Sequence, residues 1–331
     1  MPTRSQPSRR ANWRHGPERA SARRDAARDR AGRVSIALRE FEIELPSGRI
    51  AGLRGGDGGS DAAQAPRVIA LHGWLDNAAS FVPLAAHLHG IELVAPDLPG
   101  HGRSAHLAPG ADYSFAAAVN TVLDVADALG WERFSLLGHS LGAGIASLVA
   151  AGCPERVRRL VAIEALGALA EVPERTAARL REAIAATRAL PGKRLRVFPD
   201  VALAVRARMQ GVTGSALSEG AARLLVERGL ATVHDAGGAA CGHAWSSDPR
   251  LTLPTMMRLT EAQVRDLVRG IECPTRVIHA DPPQPYLPEP LRSELSALLP
   301  QGEQVVIAGR HHLHMENPQA VAAAIGDFFI G

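Results

Sequence analysis

The segment Gly138-His139-Ser140-Leu141-Gly142 carries the sharpest chemical signal in the chain. A short apolar run at 134–137 precedes it and a helical run at 141–151 follows. Glycines flanking a serine leave room for a tight strand-to-helix turn that strains the middle residue and exposes its hydroxyl at a sheet edge. A helix starting at that point aims backbone N–H groups at developing negative charge. Serine alone is a poor nucleophile and needs a base. Candidate bases lie in Gly309-Arg-His-His-Leu-His-Met-Glu-Asn-Pro318, where His311, His312 and His314 compete for the role. Those histidines could instead ligate a metal, but no partner cluster of acids or cysteines stands at suitable spacing, so no metal is expected.

Positioning such groups requires a sheet. Residues 38–45 alternate apolar and charged side chains, as a half-buried strand does, and 49–53 return as a second strand after the turn Pro46-Ser-Gly48. Short continuous apolar runs follow at 68–71, 91–95, 134–137 and 160–163, with two more at 276–278 and 305–308. Unbroken apolar runs of this length mark strands covered on both faces, and helical stretches lie between them. The pattern predicts an α/β fold with a doubly wound, mostly parallel sheet. From 166 to 257 no buried strand is evident, and the chain reads as helices at 174–190, 200–209 and 218–229. A helical block inserted between two strands is expected to act as a cap, or lid, over the carboxyl edge of the sheet.

Four motifs occur in order: His72-Gly73-Trp74 with Asp76, Asp97-Leu-Pro-Gly-His-Gly-Arg-Ser104, the glycine-flanked Ser140, and the terminal histidine segment. Together they resemble the α/β-hydrolase superfamily across most of residues 35–331. More narrowly, His72-Gly-Trp-Leu-Asp-Asn77, Gly130-Trp-Glu-Arg-Phe-Ser-Leu-Leu-Gly-His-Ser140 and Asp248-Pro-Arg-Leu251 resemble its serine-hydrolase-like subgroup. The resemblance implies a hydrolase core at 35–165 and 258–331 with the helical cap at 166–257.

It also implies roles. The family's catalytic histidine stands five residues before the Glu of a Glu-x-Pro signature, here Glu316-Asn-Pro318, which selects His311 with His314 as second choice. The family carries glycine before that histidine, where this chain has Arg310. The oxyanion hole would comprise the N–H groups of Leu141 and Trp74. Trp74 and His139 are expected to touch the substrate. Trp245, Met256 and Met257 are candidates for the underside of the cap. Asp97, His101 and Ser104 match a structural turn. For the triad acid, the usual position holds Pro283, and Asp281 lies two residues early in His279-Ala-Asp-Pro-Pro-Gln-Pro285. Glu164, ending the run at 160–163, is the alternative, and some family members take their acid from that strand. Either carboxylate could fix the histidine tautomer and stabilise the imidazolium. Glu164 is placed ahead because Pro282 and Pro283 stiffen the turn after Asp281.

The resulting expectation is a serine hydrolase cleaving a small-molecule carboxylic ester or thioester, without metal or organic cofactor. The alternative is a hydrolase-fold protein that binds a ligand and turns over little, motivated by the irregular acid position and by Arg310.

Composition narrows the class. Of 331 residues, 46% are hydrophobic and 21% charged, which excludes wholesale disorder. Ten arginines against three acids give residues 1–33 a charge of +7; with +3 for the whole chain, the remainder carries −4. The basic character therefore belongs to an arm, 1–34, expected to be disordered, and no basic stripe for nucleic acid lies on the body. Cys153, Cys241 and Cys273 are widely separated, so neither a disulfide framework nor a zinc site is expected, and a reducing, cytoplasmic setting is. No run of about 18 apolar residues predicts a membrane span. Lys193 is the only lysine, and the arginine- and alanine-rich usage suggests a GC-rich bacterial coding sequence. Oligomeric state is not legible.

Overall fold

The computed structural model describes residues 36–56, 65–190, 196–210 and 217–331. The arginine-rich arm and part of the glycine-rich loop at 55–60 lie outside them.

Eight strands form one sheet: β1 (Arg39–Leu45), β2 (Gly48–Gly56), β3 (Arg67–Leu71), β4 (Glu92–Pro96), β5 (Phe134–His139), β6 (Val157–Ile163), β9 (Thr275–Asp281) and β10 (Gly302–Ala308). Their order across the sheet is β1-β2-β4-β3-β5-β6-β9-β10. The hairpin β1–β2 and the β2–β4 pair are antiparallel, and every later neighbour is parallel. From β3 the chain steps outward to β4 and then returns to the other side of β3 as β5. That reversal opens a crevice at the carboxyl ends of β3 and β5, where doubly wound sheets bind ligands.

The unbroken apolar runs follow from helices on both faces. Ile69, Leu71, Leu136, Leu160, Ala162 and Val277 pack on one side, with α2 (Phe115–Ala128), α3 (Leu141–Gly152), α7 (Glu261–Arg269) and α8 (Leu291–Ser296). Val68, Ala70, Leu137, Val161, Ile163 and Ile278 pack on the other, with α1 (Val82–Ala85), α9 (Leu313–Glu316) and α10 (Pro318–Ile325). Side chains alternate between faces along each strand, so both sets must be apolar. Elsewhere the chain punctuates itself in the expected way. Thr260 and Gln263 cap α7 reciprocally, and Ser114 caps α2.

Between β6 and β9 the inserted block contains α4 (Thr176–Ala189), α5 (Val201–Met209) and α6 (Glu219–Gly229). It also holds a hairpin absent from the sequence expectation, β7 (Leu230–His234) and β8 (Ala240–Trp245). Both strands are largely exposed, so they lack the apolar run that betrays a core strand. The block has its own small core around Phe198, Ala222 and Leu225, to which Met315 of α9 contributes.

Ion pairs, two of them buried, join the block to the sheet. Arg208 of α5 binds the Asp76 carboxylate, in the loop after β3. Arg228 of α6 reaches Asp97, at the end of β4, at 2.9 Å and Glu40 of β1 at 2.7 Å. Asn77 Nδ2 donates to the Leu225 carbonyl at 2.8 Å. These loops leave the carboxyl ends of β3 and β4, so the block stands over the same edge as the crevice. No helix among the described residues is long and apolar enough to cross a membrane.

Candidate active site

Ser140 occupies the turn between β5 and α3 with φ 51 and ψ −116, a left-handed backbone that a non-glycine residue adopts only under constraint. The constraint is visible in its neighbours. A Cβ on Gly138 would collide with the backbone of Ala143, and one on Gly142 with the carbonyl of Leu71. Glycine at both positions therefore lets α3 start directly against the ends of β3 and β5. The Ser140 N–H donates to Ile163 O at 2.9 Å, which anchors the turn to β6.

Beside α3 runs the loop 72–77. His72 is fully buried; the N–H of Leu98 donates to its Nε2 at 2.9 Å, so its Nδ1–H donates to Gly73 O at 2.8 Å. Burial lowers its pKa to about 4, and the ring is a neutral strut. Leu75 turns the loop with φ 57. Trp74 is 37% exposed, its indole N–H donating to Leu251 O at 2.8 Å. Among the described residues, no turn or loop hydrogen bond uses the N–H of Trp74 or of Leu141.

His311 follows β10 and is buried. The buried His139 ring holds it from below, Nε2–H donating to the His311 carbonyl at 2.8 Å. Glu164, at the end of β6, points its carboxylate at the same imidazole, with Oε2 3.6 Å from Nδ1 of His311. The other oxygen, Oε1, accepts from the Ala280 N–H at 2.6 Å, so β9 fixes the carboxylate in place. Glu164 has φ 62, a second strained backbone beside that of Ser140. Tyr286, from the loop between β9 and α8, brings its hydroxyl to 3.0 Å from Nδ1 of His311. No hydrogen bond joins Ser140 to His311 among the described residues.

Several expected residues stand elsewhere. Asp281 ends β9 with an exposed side chain, and no ion pair reaches it from His311. It is the backbone of this segment that contributes, Ala280 N–H donating to Glu164 and Asp281 O accepting from Gly309 N–H. His139, expected to touch substrate, is 0% exposed and supports His311 instead. His314, the second choice as base, is also 0% exposed, its ring enclosed 4.1 Å from that of His139 and 5.6 Å from that of Phe81. His312 faces Asp76, with Nε2 3.3 Å from Oδ2. Met256 and Met257 are exposed rather than beneath the block, while Trp245 packs edge-on against Phe198.

Three motifs have structural explanations. Asp97 accepts from the N–H groups of Ala78 and Arg103 and pairs with Arg228, while Ser104 donates to the Asp97 carbonyl at 2.6 Å. Asp248 binds Arg250 and the Tyr113 hydroxyl, closing the 107–113 loop against the block. Glu316 accepts from Ser218 N–H at the start of α6, at 2.8 Å. Sequence reasoning missed Asp76 as an electrostatic centre. Its burial opposes ionisation, yet His312 and Arg208 outweigh that and hold its pKa well below the usual carboxylate value. It also missed Tyr286, for which a proline-rich loop gives no signal. No group of three or more His, Cys, Asp or Glu among the described residues is arranged to hold a metal ion.

This arrangement of sheet, strained serine and buried histidine defines the α/β-hydrolase superfamily. The family model for the alpha/beta hydrolase fold matches residues 66–206. A serine hydrolase-like protein of Dictyostelium discoideum is 31% identical over 274 residues, spanning 79% of this chain and 74% of that one. Serine hydrolase-like protein 2 of Homo sapiens is 30% identical over 306 residues, 88% of this chain and 94% of that one. Among solved structures, a hypothetical protein from Pseudomonas aeruginosa PAO1 superposes with a TM-score of 0.80 at 42% identity, covering 88% of this chain and 99% of that one. The thioesterase domain from the curacin biosynthetic pathway gives 0.71 at 25% identity, covering 87% and 99%. The chain belongs to the serine-hydrolase-like group of the α/β-hydrolase superfamily.

Proposed function

We propose that the protein cleaves a carboxylic ester or thioester through an acyl-enzyme on Ser140, with His311 as general base and Glu164 as the carboxylate behind it. One observation carries the reading: the strained Ser140 turn, the imidazole of His311 and the Glu164 carboxylate converge on one sheet edge, with Glu164 Oε2 3.6 Å from His311 Nδ1. Ser140 Oγ attacks the acyl carbon as its proton passes to Nε2 of His311. The resulting oxyanion is met by the N–H groups of Leu141 and Trp74 at the start of α3 and in the loop after His72. Collapse returns the proton to the leaving alcohol or thiol, and water repeats the sequence on the acyl-enzyme to release the acid. Helices α4 to α6 act as the cap, and Trp74 offers an apolar wall to the substrate. None of these steps asks for a metal or cofactor.

The test is intact-mass analysis after treatment with a fluorophosphonate, followed by peptide mapping. A single adduct on Ser140 is expected in the parent and none in Ser140→Ala. A folded parent that takes up no adduct would favour the second reading, a ligand-binding protein with little turnover. The observation on that side is the missing Ser140–His311 hydrogen bond.

A further inference from the structure

Tyr286 touches the candidate site at two points besides the serine. Its hydroxyl lies 3.0 Å from Nδ1 of His311 and 3.1 Å from the carbonyl oxygen of Glu164. Its ring meets the imidazole edge to face, with centroids 5.8 Å apart. The residue is 38% exposed, while its hydroxyl is engaged by the site. Burial raises the phenol's pKa above its ordinary value, the Glu164 carboxylate pushes the same way, and the Ser140 hydroxyl opposes them, so the neutral phenol is favoured.

A phenol has one proton to give, and a carbonyl oxygen can only accept. With that proton donated to Glu164 O, the phenol oxygen is left to accept; Nδ1–H of His311 is a donor in reach, and the Ser140 hydroxyl is a second donor near the same oxygen. This chain, from Nδ1–H to the phenol and from the phenol to a backbone carbonyl, selects the imidazole tautomer whose Nε2 holds the lone pair. A general base must be in that form. The Glu164 carboxylate stands farther off, and its Oε2 accepts no hydrogen bond although it is buried.

We propose, resting on the reading of Ser140 as nucleophile and His311 as base, that Tyr286 is a positioning residue. It fixes the His311 tautomer in the resting site, and Glu164 supplies the charge that stabilises the imidazolium after proton transfer. In the usual arrangement one carboxylate performs both tasks. Here they are divided between a neutral donor-acceptor and a buried anion. Proton balance is simple: the Ser140 O–H bond breaks, an Nε2–H bond forms, and the phenol keeps its own proton throughout.

The test compares the parent, Tyr286→Phe and Glu164→Gln with p-nitrophenyl acetate and p-nitrophenyl octanoate across pH, alongside the rate of fluorophosphonate labelling. In Tyr286→Phe, kcat and the labelling rate are expected to fall about ten- to a hundredfold, less than the ~10⁴-fold typical of losing a triad acid, with KM within about threefold. The acidic limb of kcat/KM moves to higher pH, because Nδ1–H, released from the phenol, closes on the Glu164 carboxylate. His139 and His312, whose rings lie 4.8 and 5.0 Å from His311, are common to both proteins, so the shift reports the phenol. In Tyr286→Phe/Glu164→Gln that shift disappears. A Tyr286→Phe protein with kcat and the acidic limb unchanged, or altered only in KM, overturns the positioning role and leaves the hydrolase reading intact. A folded parent that never labels at Ser140 overturns both.

Discussion

Glu164 and His311 are separated by 147 positions in the chain, yet Oε2 of one lies 3.6 Å from Nδ1 of the other, in a buried setting. The register of β6 beside β9 makes this possible: Glu164 N–H donates to Ile278 O at 2.9 Å, which carries the edge of β6 level with the loop that bears His311. An acid at this strand end reaches the imidazole without help from the loop after β9, where prolines replace the usual turn.

That relationship predicts a clean separation between the two carboxylates considered for the triad. Glu164→Gln keeps the shape of the side chain and its contact with Ala280 N–H but removes the charge that would stabilise an imidazolium. Ester turnover is expected to fall by about 10³- to 10⁴-fold, mostly in kcat. Asp281→Asn, at an exposed side chain, is expected to change kcat/KM less than about threefold. Steady-state kinetics on the two purified variants decide it; a large loss in Asp281→Asn with little in Glu164→Gln would reverse the assignment.

The glycines of the Ser140 turn predict a contrast within one helix. Gly142→Ala drives a methyl into the Leu71 carbonyl, which must push α3 off β3 or abolish the turn, so lower stability and loss of fluorophosphonate labelling are expected together. Gly152, the last residue of α3, has open space where a Cβ would stand, and Gly152→Ala is expected to be neutral or to raise stability by about 0.4–1 kcal/mol. Thermal unfolding of the two variants gives the comparison.

Arg208 and Asp76 form one of two buried ties between the inserted block and the sheet, at 8% and 1% side-chain exposure. Removing Arg208 leaves the buried Asp76 carboxylate with only His312 and His139 beside it, and breaking a buried pair costs up to about 3–5 kcal/mol. Arg208→Ala is therefore expected to destabilise strongly. Asp76→Asn made in the same protein should recover part of that loss, since an amide is easier to bury than a lone carboxylate. Urea denaturation of both singles and the double forms the cycle. Additive effects would mean that the pair does not hold the block down.

The strands and Ser140 were readable because they depend on local pattern: apolar runs for strands with two covered faces, and two glycines at a turn that admits nothing larger. The choice of His311 rested on the resemblance and on the spacing to Glu316. By contrast, Arg208 and Arg228 sit in a chain crowded with arginines, and nothing local marks the two whose guanidinium groups meet Asp76 and Asp97 across more than 130 positions. His139 misled for a related reason. It neighbours Ser140 in sequence, but strand alternation sends consecutive side chains to opposite faces, so it points into the core. The β7–β8 hairpin escaped because exposed strands have no apolar run, and Tyr286 because its role depends on a loop path that proline content alone does not define.

A final consequence concerns acid stability. Burial lowers the pKa of His72 and His279 to about 4 and of His101 and His314 to about 3, and pushes His139 well below its ordinary value. In the unfolded chain a histidine titrates near 6.5. As pH falls below that point, the unfolded chain binds protons that the folded protein refuses, so stability drops, and it keeps dropping until the folded values are reached. Each such histidine removes roughly 1 kcal/mol between pH 7 and 5.5. Asp76 works in a lower window: its pKa lies below the ordinary value near 3.8, so its contribution persists through this range and is lost only in stronger acid. The protein is therefore expected to lose several kcal/mol by pH 5.5. His314, with neither ring nitrogen hydrogen-bonded and the ring set against Phe81 and His139, isolates one share of that loss. His314→Phe should make the fall between pH 7 and 5.5 shallower by about 1 kcal/mol, measured by urea denaturation at both pH values. An equal fall in the two proteins would show that His314 takes up its proton in the folded state.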